Sequence, residues 1–99
     1  MNTFRTESEF QAAVCSLARG LGCKVFHPVN VKRSEPGMPD LTIVGDRGFL
    51  MRELKTQTGR IRPEQDEWIT KLAKAGVDVD VWRPSDWPER ITNELRSIA

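Results

Sequence analysis

The sequence predicts a single α/β domain in which a mixed β-sheet is flanked by helices. Its 99 residues suit one domain with one hydrophobic core. Two segments, beginning near Glu7 and at Pro63, repeat apolar residues at helical spacing. The segments between and after them include short runs rich in β-branched and aromatic residues, separated by turn residues. The predicted order α-β-β-β-α-β-α is typical of a sheet sandwiched by helices.

The first helix is expected from about Glu7 to Arg19. Apolar residues repeat there at helical spacing, and Gly20 follows the last of these turns. Thr6, followed three residues later by Glu9, predicts a capping box that uses the carboxylate of Glu9. Glu7 falls on the inward stripe of the helix, where an acid is unexpected, and is therefore the candidate functional acid.

Three strands are expected next, and two of them form a hairpin. The predicted strands are Lys24 to His27, Leu41 to Val44 and Phe49 to Lys55. The turn Gly45-Asp46-Arg47-Gly48 joins the second and third strands into an antiparallel pair. Alternation along the third strand puts Glu53 and Lys55 on one face, with Arg52 and Leu54 on the other.

The remaining elements are a helix, a strand and a last helix. The second helix is expected from Pro63 to Ala75, because proline suits its first position and Gly76 follows its end. Alternating valines and aspartates indicate a half-buried fourth strand, composed of Val77, Asp78, Val79, Asp80 and Val81. Trp82 falls on the aspartate face, where it covers either a helix or a partner subunit. Ser85 is expected to cap a last helix, whose apolar positions are Trp87, Ile91, Leu95 and Ile98.

Composition excludes several classes of protein. Apolar residues make up 38% and the net charge is +1, so the chain is not disordered, and its charge balance alone does not announce a nucleic-acid binder. The longest uncharged stretch, Phe10 to Ala18, is too short to span a membrane. The N-terminus lacks an apolar segment typical of secretion, which favours the cytoplasm. Cys15 and Cys23 are expected to be reduced thiols and not zinc ligands.

Two carboxylates and a lysine are expected at one end of the predicted hairpin. Asp40 directly precedes the second strand, whereas Glu53 and Lys55 close the third. Antiparallel partners bring these ends side by side, so both carboxylates reach one cation. Mg²⁺ or Mn²⁺ prefers such oxygen ligands and leaves room for a phosphate. The lysine would hold the attacking water or stabilise developing charge, and Glu7 would join from the adjacent helix.

This arrangement resembles the PD-(D/E)XK nuclease superfamily, with Met38-Pro39-Asp40 followed by Glu53-Leu54-Lys55. The αβββαβ order is similar to its restriction-endonuclease-like core, here with an additional C-terminal helix. The longer resemblance is to the VRR-NUC (virus-type replication-repair nuclease) domain, which is expected to occupy residues 1–99. The segments that carry it are Glu7 to Gln11, Gly37 to Leu41, Glu53 to Thr56, Gly59-Arg60, Pro63 to Trp68, Ala75-Gly76 and Val81 to Pro84.

The resemblance implies a metal-dependent phosphodiesterase. The expected ligands of Mg²⁺ or Mn²⁺ are Asp40, Glu53 and the backbone carbonyl of Leu54. Lys55 would position the attacking water, Glu7 matches the acid of the family's first helix, and Gln65 matches the glutamine after the ExK strand. The loop residues expected to contact DNA phosphates are Lys32, Arg33, Arg60 and Arg62.

Each of these residues also has a structural interpretation. Glu53 and Lys55 would form an ordinary ion pair on a strand surface, and Gln65 would be a plain residue of the first helical turn. His27 is more often structural than a ligand, although its strand borders the expected site.

Small stand-alone members of the family, often encoded by phages, resemble Holliday-junction resolvases and act as dimers. The expected function is therefore a dimeric endonuclease for branched or Holliday-junction DNA, acting in repair and recombination in a bacterial or phage-infected cell. Neither a membrane nor an organic cofactor is expected. Two alternatives remain: a monomeric nicking, flap or end-processing nuclease, and a non-catalytic nucleic-acid-binding module. The intact set of Asp40, Glu53 and Lys55 argues against the second.

Overall fold

A four-stranded sheet with helices on both faces forms the fold of residues 4–27 and 36–99, which a computed structural model describes. The elements are α1 (Glu7–Gly20), β1 (Lys24–Phe26), β2 (Leu41–Gly45), β3 (Gly48–Leu54), α2 (Pro63–Lys74), β4 (Val79–Trp82), a 3-10 turn (Pro84–Asp86) and α3 (Glu89–Ile98). None of the helices in these ranges is long and apolar enough to cross a membrane. Lys32 and Arg33, two of the expected DNA contacts, lie outside the described residues.

The sheet is mixed, with strands in the order β1-β2-β3-β4. β1, β2 and β3 pair antiparallel, whereas β4 runs parallel to β3. Leu41 pairs with Arg52 in the hairpin, and Leu54 pairs with Trp82 across the parallel pair. The expected element order, the hairpin and the fold class are confirmed.

The hydrophobic core lies between one face of the sheet and the pair of helices α1 and α3. Its largest fully buried side chains are Trp82, Phe10, Leu41, Ile43, Leu50, Leu54, Ile91, Leu95 and Val14. On the opposite face, α2 packs against β4. Residues on both faces of β3 are buried from Leu50 onward, because helices cover each face of that part of the strand.

The start of α1 is capped nearly as expected. The Thr6 hydroxyl accepts a hydrogen bond from the Glu9 N–H at 3.1 Å. The Glu9 carboxylate accepts from the Arg5 N–H at 3.0 Å, one residue before the predicted partner in the capping box. Glu9 is therefore used by the cap, which leaves Glu7 free of that role.

The fourth strand begins at Val79, two residues later than predicted. The Val77 N–H donates to Leu72 O at 3.0 Å and the Gly76 N–H donates to Ala73 O at 3.1 Å, which closes the end of α2 as a Schellman motif. Gly76 has a φ of 92°, which suits glycine. Val77 is thus held by the helix end and is unavailable to the sheet.

The prediction that Ser85 caps the last helix is wrong. A short 3-10 turn spans Pro84–Asp86, and α3 begins only after Pro88. Proline has no N–H to continue a helix, and it disfavours helical backbone in the residue before it. Trp87 accordingly is extended, with φ −91° and ψ 138°. Pro88 therefore moves the start of α3 past the position that the apolar spacing had suggested.

Arg52 is buried on the core face of β3, with 2% of its surface exposed. Its guanidinium donates to Glu94 Oε1, Asp78 Oδ1 and the carbonyls of Met51 and Asp78, so that all its N–H groups find acceptors. It also lies 5.1 Å from the ring centre of Trp82. The indole of Trp82 donates to Glu94 at 2.9 Å, so Trp82 covers α3 and not a partner subunit.

Glu94 is the acceptor that joins these groups. Partial burial alone would raise its pKa, but hydrogen bonds from Arg52, Trp82 and Arg90 hold the pKa below its usual value. The carboxylate is therefore ionised at neutral pH and holds α3 to the sheet through charge-assisted hydrogen bonds.

We expect Arg52→Ala to lower the free energy of unfolding by about 3 kcal/mol, because it leaves buried acceptors without their cation. Arg90→Ala is the matched control. Its guanidinium also pairs with Glu94, at 2.7 Å, but it is 42% exposed, and a loss below about 1 kcal/mol is expected. Urea unfolding followed by tryptophan fluorescence would measure both. Equal losses would contradict the central role of Arg52.

Candidate active site

The open end of the β2–β3 hairpin brings Asp40 and Glu53 together. Asp40 lies immediately before β2, and the pairing of Leu41 with Arg52 puts it beside the end of β3. The Leu54 N–H donates to Asp40 Oδ2 at 2.9 Å, which fixes the aspartate against the strand. Asp40 and Glu53 also share a side-chain hydrogen bond. Two carboxylates thus meet at one end of the sheet, as predicted from the hairpin.

Glu53 is a buried acid, with only 3% of its surface exposed. Its Oε2 accepts from Gln65 Nε2 at 2.9 Å and lies 3.9 Å from Lys55 Nζ. The lysine is therefore within ion-pair distance, on the same face of the strand end. An ordinary surface ion pair would leave both groups in water, so the burial of Glu53 argues against that interpretation.

The surroundings of Glu53 raise its pKa to about 8. Burial is the largest cause, and the charge and hydrogen bond of Asp40 and the charge of Glu7 act in the same direction. The Lys55 ammonium opposes them but does not offset them. Without a cation, Glu53 therefore keeps its proton at neutral pH.

Glu7 lies near this pair but outside the core, which corrects its predicted place on the buried stripe. It is exposed in the first turn of α1, where the buried stripe begins only at Phe10. Partial burial and the charge of Asp40 raise the pKa of Glu7, whereas the charge of Lys55 lowers it. Glu7 therefore shares the electrostatic field of the site. No group of three or more acidic, His or Cys side chains in residues 4–27 and 36–99 is close enough to hold a metal, so the donors here are a carboxylate pair.

Gln65 links the site to the start of α2. Its Oε1 accepts from the Arg62 N–H at 2.9 Å, which caps the helix, while its Nε2 donates to Glu53. The amide is only 5% exposed, so its two hydrogen bonds fix its orientation. The capping contact is what a first-turn residue makes, whereas the contact with Glu53 goes beyond that structural role. The geometry thus brings Gln65 to Glu53.

The other expected site residues are spread around this centre. Arg60 and Arg62 are exposed on the loop between β3 and α2, and Arg62 pairs with Glu64 at 3.3 Å. His27 lines a separate cleft beside α1, together with Cys15 and Arg19. Cys15 and Cys23 are free thiols, and both are buried.

Arg83 lies beside the site, although it was not among the predicted site residues. Its Nη1 donates to Thr56 O and Gly59 O, each at 2.7 Å, in the loop that follows Lys55. Gln57 in the same loop forms two hydrogen bonds with Ser85. The parallel register of β4 with β3 was the missing signal, because it brings residue 83 to the same end of the sheet as residue 55.

The arrangement combines hard oxygen donors with a nearby ammonium group. Paired carboxylates of this kind suit a divalent cation such as Mg²⁺ or Mn²⁺, which takes one or two carboxylates and keeps several waters. An adjacent lysine is suited to hold a water or to stabilise negative charge. The site therefore has the chemistry needed for metal-assisted hydrolysis of an anionic substrate.

Comparison with known proteins identifies the family of the chain. A profile of the VRR-NUC domain family matches residues 3–86. A solved structure described as a VRR-NUC domain protein superposes with a TM-score of 0.72 and 22% identity, over 98% of this chain and 93% of its own. Another, described as a VRR-NUC domain, superposes with a TM-score of 0.65 and 27% identity, over 76% of this chain and 81% of its own. No curated protein sequence matches the chain. The chain thus belongs to the VRR-NUC family and carries a nuclease-type fold.

Proposed function

We propose that this chain is a metal-dependent DNA endonuclease that hydrolyses phosphodiester bonds at the Asp40–Glu53 pair. The observation that carries the proposal is the meeting of these two carboxylates with Lys55 at the end of the hairpin, around a glutamate that is almost fully buried. A buried acid pair is unfavourable for folding and points to a functional use. Membership of a nuclease-type family supports DNA as the substrate class.

The donor set fits a divalent cation. The charge of Asp40 raises the pKa of Glu53, and a cation between them would satisfy both carboxylates and oppose their repulsion. The expected ligands are Asp40, Glu53 and the backbone carbonyl of Leu54. Bound Mg²⁺ or Mn²⁺ would supply Lewis-acid stabilisation of the phosphate and a more acidic water.

The chain's own groups orient the reaction around that centre. Lys55 would hold the attacking water or stabilise the developing charge, since its ammonium lies next to Glu53. Gln65 keeps Glu53 in place, and Glu7 would take part from the first turn of α1. The water oxygen bonds to phosphorus in line with the bond to O3′, which breaks. The expected products carry a 5′-phosphate and a 3′-hydroxyl.

Branched DNA, and the Holliday junction in particular, is the proposed substrate. Exposed Arg60 and Arg62 lie on the loop beside the site and would contact phosphates, and Lys32 and Arg33 are proposed for the same role. Such contacts position the duplex without reading bases, so selectivity would come from DNA shape.

A homodimer is proposed on the open face of the sheet. On the face opposite α1 and α3, Phe26, Val44 and Phe49 are exposed by 67%, 48% and 48%. Val44 pairs directly with Phe49, and Phe26 lies across from Thr42, so the three share one surface. A two-fold contact through this face would cover it and supply two active sites for the two strands of a junction.

We expect Glu53→Gln and Lys55→Ala each to lower the cleavage rate by about 100-fold or more, because the first removes a proposed metal ligand and the second removes the group that would hold the water or stabilise charge. Glu67→Gln and Lys74→Ala, exposed positions of α2, are the matched controls and should cut normally. The measurement is cleavage with Mn²⁺ of four-way junction, flap, single-stranded and linear duplex DNA. A Glu53→Gln protein as fast as the native one would overturn the proposal, and equal cutting of all four substrates would reject junction selectivity.

Glu53 should also make stability depend on pH and metal. An ordinary glutamate ionises near pH 4.5, whereas Glu53 in the folded chain holds its proton up to about pH 8. The stabilising contribution of Glu53 is fully present below the lower pKa and is lost as the pH rises through the higher pKa. In EDTA, the native melting temperature should therefore fall relative to that of Glu53→Gln as pH rises from about 5 to about 8.

Added Mn²⁺ should restore the melting temperature of the native protein, because a ligand that binds only the folded state raises its stability. It should leave the melting temperature of Glu53→Gln nearly unchanged. Glu67→Gln serves as control and should follow the native protein throughout. Thermal unfolding across pH, with and without Mn²⁺, measures this. Equal metal responses of native and Glu53→Gln protein would place the cation elsewhere.

We expect Val44→Glu to convert a dimer into a monomer, because two carboxylates would meet in an apolar contact. Ala73→Glu, at an exposed position of α2, is the control. Sedimentation velocity gives the oligomeric state, and junction cleavage gives its consequence. A native protein that sediments as a monomer would reject the dimer and favour a flap or end-processing enzyme.

A further inference from the structure

Arg83 binds the backbone of the loop that follows the candidate catalytic strand. It directly follows Trp82, the last residue of β4, and the Lys55 N–H donates to Trp82 O at 3.1 Å. The ends of β3 and β4 are therefore aligned, with residues 55 and 83 next to each other. Arg83 Nη1 donates to Thr56 O and Gly59 O at 2.7 Å and to Gln57 O at 3.4 Å. One guanidinium nitrogen thus donates hydrogen bonds to three carbonyls of a single turn.

The turn has a second attachment to the same segment. Ser85 N–H donates to the Gln57 side-chain oxygen at 2.9 Å, and Gln57 Nε2 donates to Ser85 Oγ at 3.1 Å. Gly59 N–H closes the turn on Thr56 O at 3.3 Å. A Cβ at Gly59 would come within 2.8 Å of Thr56 Oγ1, so the turn is tight there. These contacts fix the loop through groups that lie outside the carboxylate pair.

The loop connects two of the polar groups that surround Glu53. Lys55 lies immediately before the turn, and Gln65 lies at the start of α2, where the loop ends. The turn is the covalent link between Lys55 and Gln65, so a displacement of the turn can be passed to both. The turn is therefore one of the constraints on the geometry around Glu53.

We propose that Arg83 is a positioning residue for catalysis: it holds the 56–59 turn so that Lys55 and Gln65 keep their places around Glu53. This inference rests on the proposed nuclease function. For this role Arg83 need not touch DNA or metal, since the Nη1 that holds the turn is used by the turn's own carbonyls. Displacements of about 1 Å in such a site are enough to lower rates by about 100-fold.

Arg47 offers a matched control for this role. It also ties down backbone carbonyls, with Nε to Ala99 O at 3.0 Å and Nη2 to Arg96 O at 2.6 Å. It lies in the turn between β2 and β3, at the opposite end of the hairpin from Glu53. Arg83→Ala and Arg47→Ala therefore remove the same kind of interaction, near the site and far from it.

The experiment compares native protein, Arg83→Ala, Arg83→Lys and Arg47→Ala in junction cleavage with Mn²⁺. We expect Arg83→Ala to lower kcat by about 10- to 100-fold while KM changes less than about threefold, because geometry and not DNA affinity is lost. Arg83→Lys should recover part of kcat, since an ammonium still donates to carbonyls. Arg47→Ala should keep native kcat. An Arg83→Ala protein within about twofold of native kcat, or an Arg47→Ala protein equally impaired, would overturn the proposal.

Amide hydrogen exchange separates this inference from the nuclease proposal. Exchange in residues 56–62 should be faster in Arg83→Ala and unchanged in Arg47→Ala, whether or not the protein cuts DNA. Unchanged exchange in Arg83→Ala would overturn the role of Arg83 even in an active enzyme. If the native protein cuts none of the DNAs, the nuclease proposal fails, and the role of Arg83 in catalysis fails with it. Faster exchange would then support only the fixing of the turn.

Discussion

The register between β2 and β3 is the constraint on which both the fold and the candidate site depend. With Leu41 opposite Arg52, Asp40 meets Glu53 at the open end of the hairpin, and Ile43 meets Leu50 in the core. Side chains alternate along a strand, so a slip of one residue would turn Glu53 toward α1 and α3 and bring Arg52 to the acid pair. The same pairing therefore determines which residues lie in the core and which lie in the candidate site.

The buried charged side chains on the two faces of β3 differ in whether their charge is compensated. On the core face, Arg52 is buried but fully paired, and its partner Glu94 is kept ionised. On the other face, Glu53 is buried beside a second acid, and its ammonium neighbour leaves the repulsion uncompensated. The first arrangement holds α3 to the sheet. The second opposes folding and is the proposed place for a cation, so the residue that stabilises the fold and the residue of the candidate site are neighbours in the chain.

Local rules predicted the elements that depend on neighbouring residues. The capping of α1 by Thr6, the hairpin turn and proline at the start of α2 all follow from short-range chemistry. The hairpin also gave the acid pair, because Asp40 and Glu53 meet through one turn. These features need no knowledge of how distant segments pack.

What the sequence left undecided depends on contacts between distant segments. From the alternation alone, Trp82 occupies an exposed position of its strand. In the structure, α3 begins seven residues later and covers it. Arg83 gains its role only from the parallel pairing of β4 with β3, which no local pattern shows. Alternation thus identified the two faces of β4 but not which helix covers them.

Arg52 and Glu53 are neighbours in β3, but evolution would treat the loss of each in opposite ways. A descendant without the proposed activity would be free to lose Glu53 and would become more stable, whereas losing Arg52 alone would lower the stability of the domain.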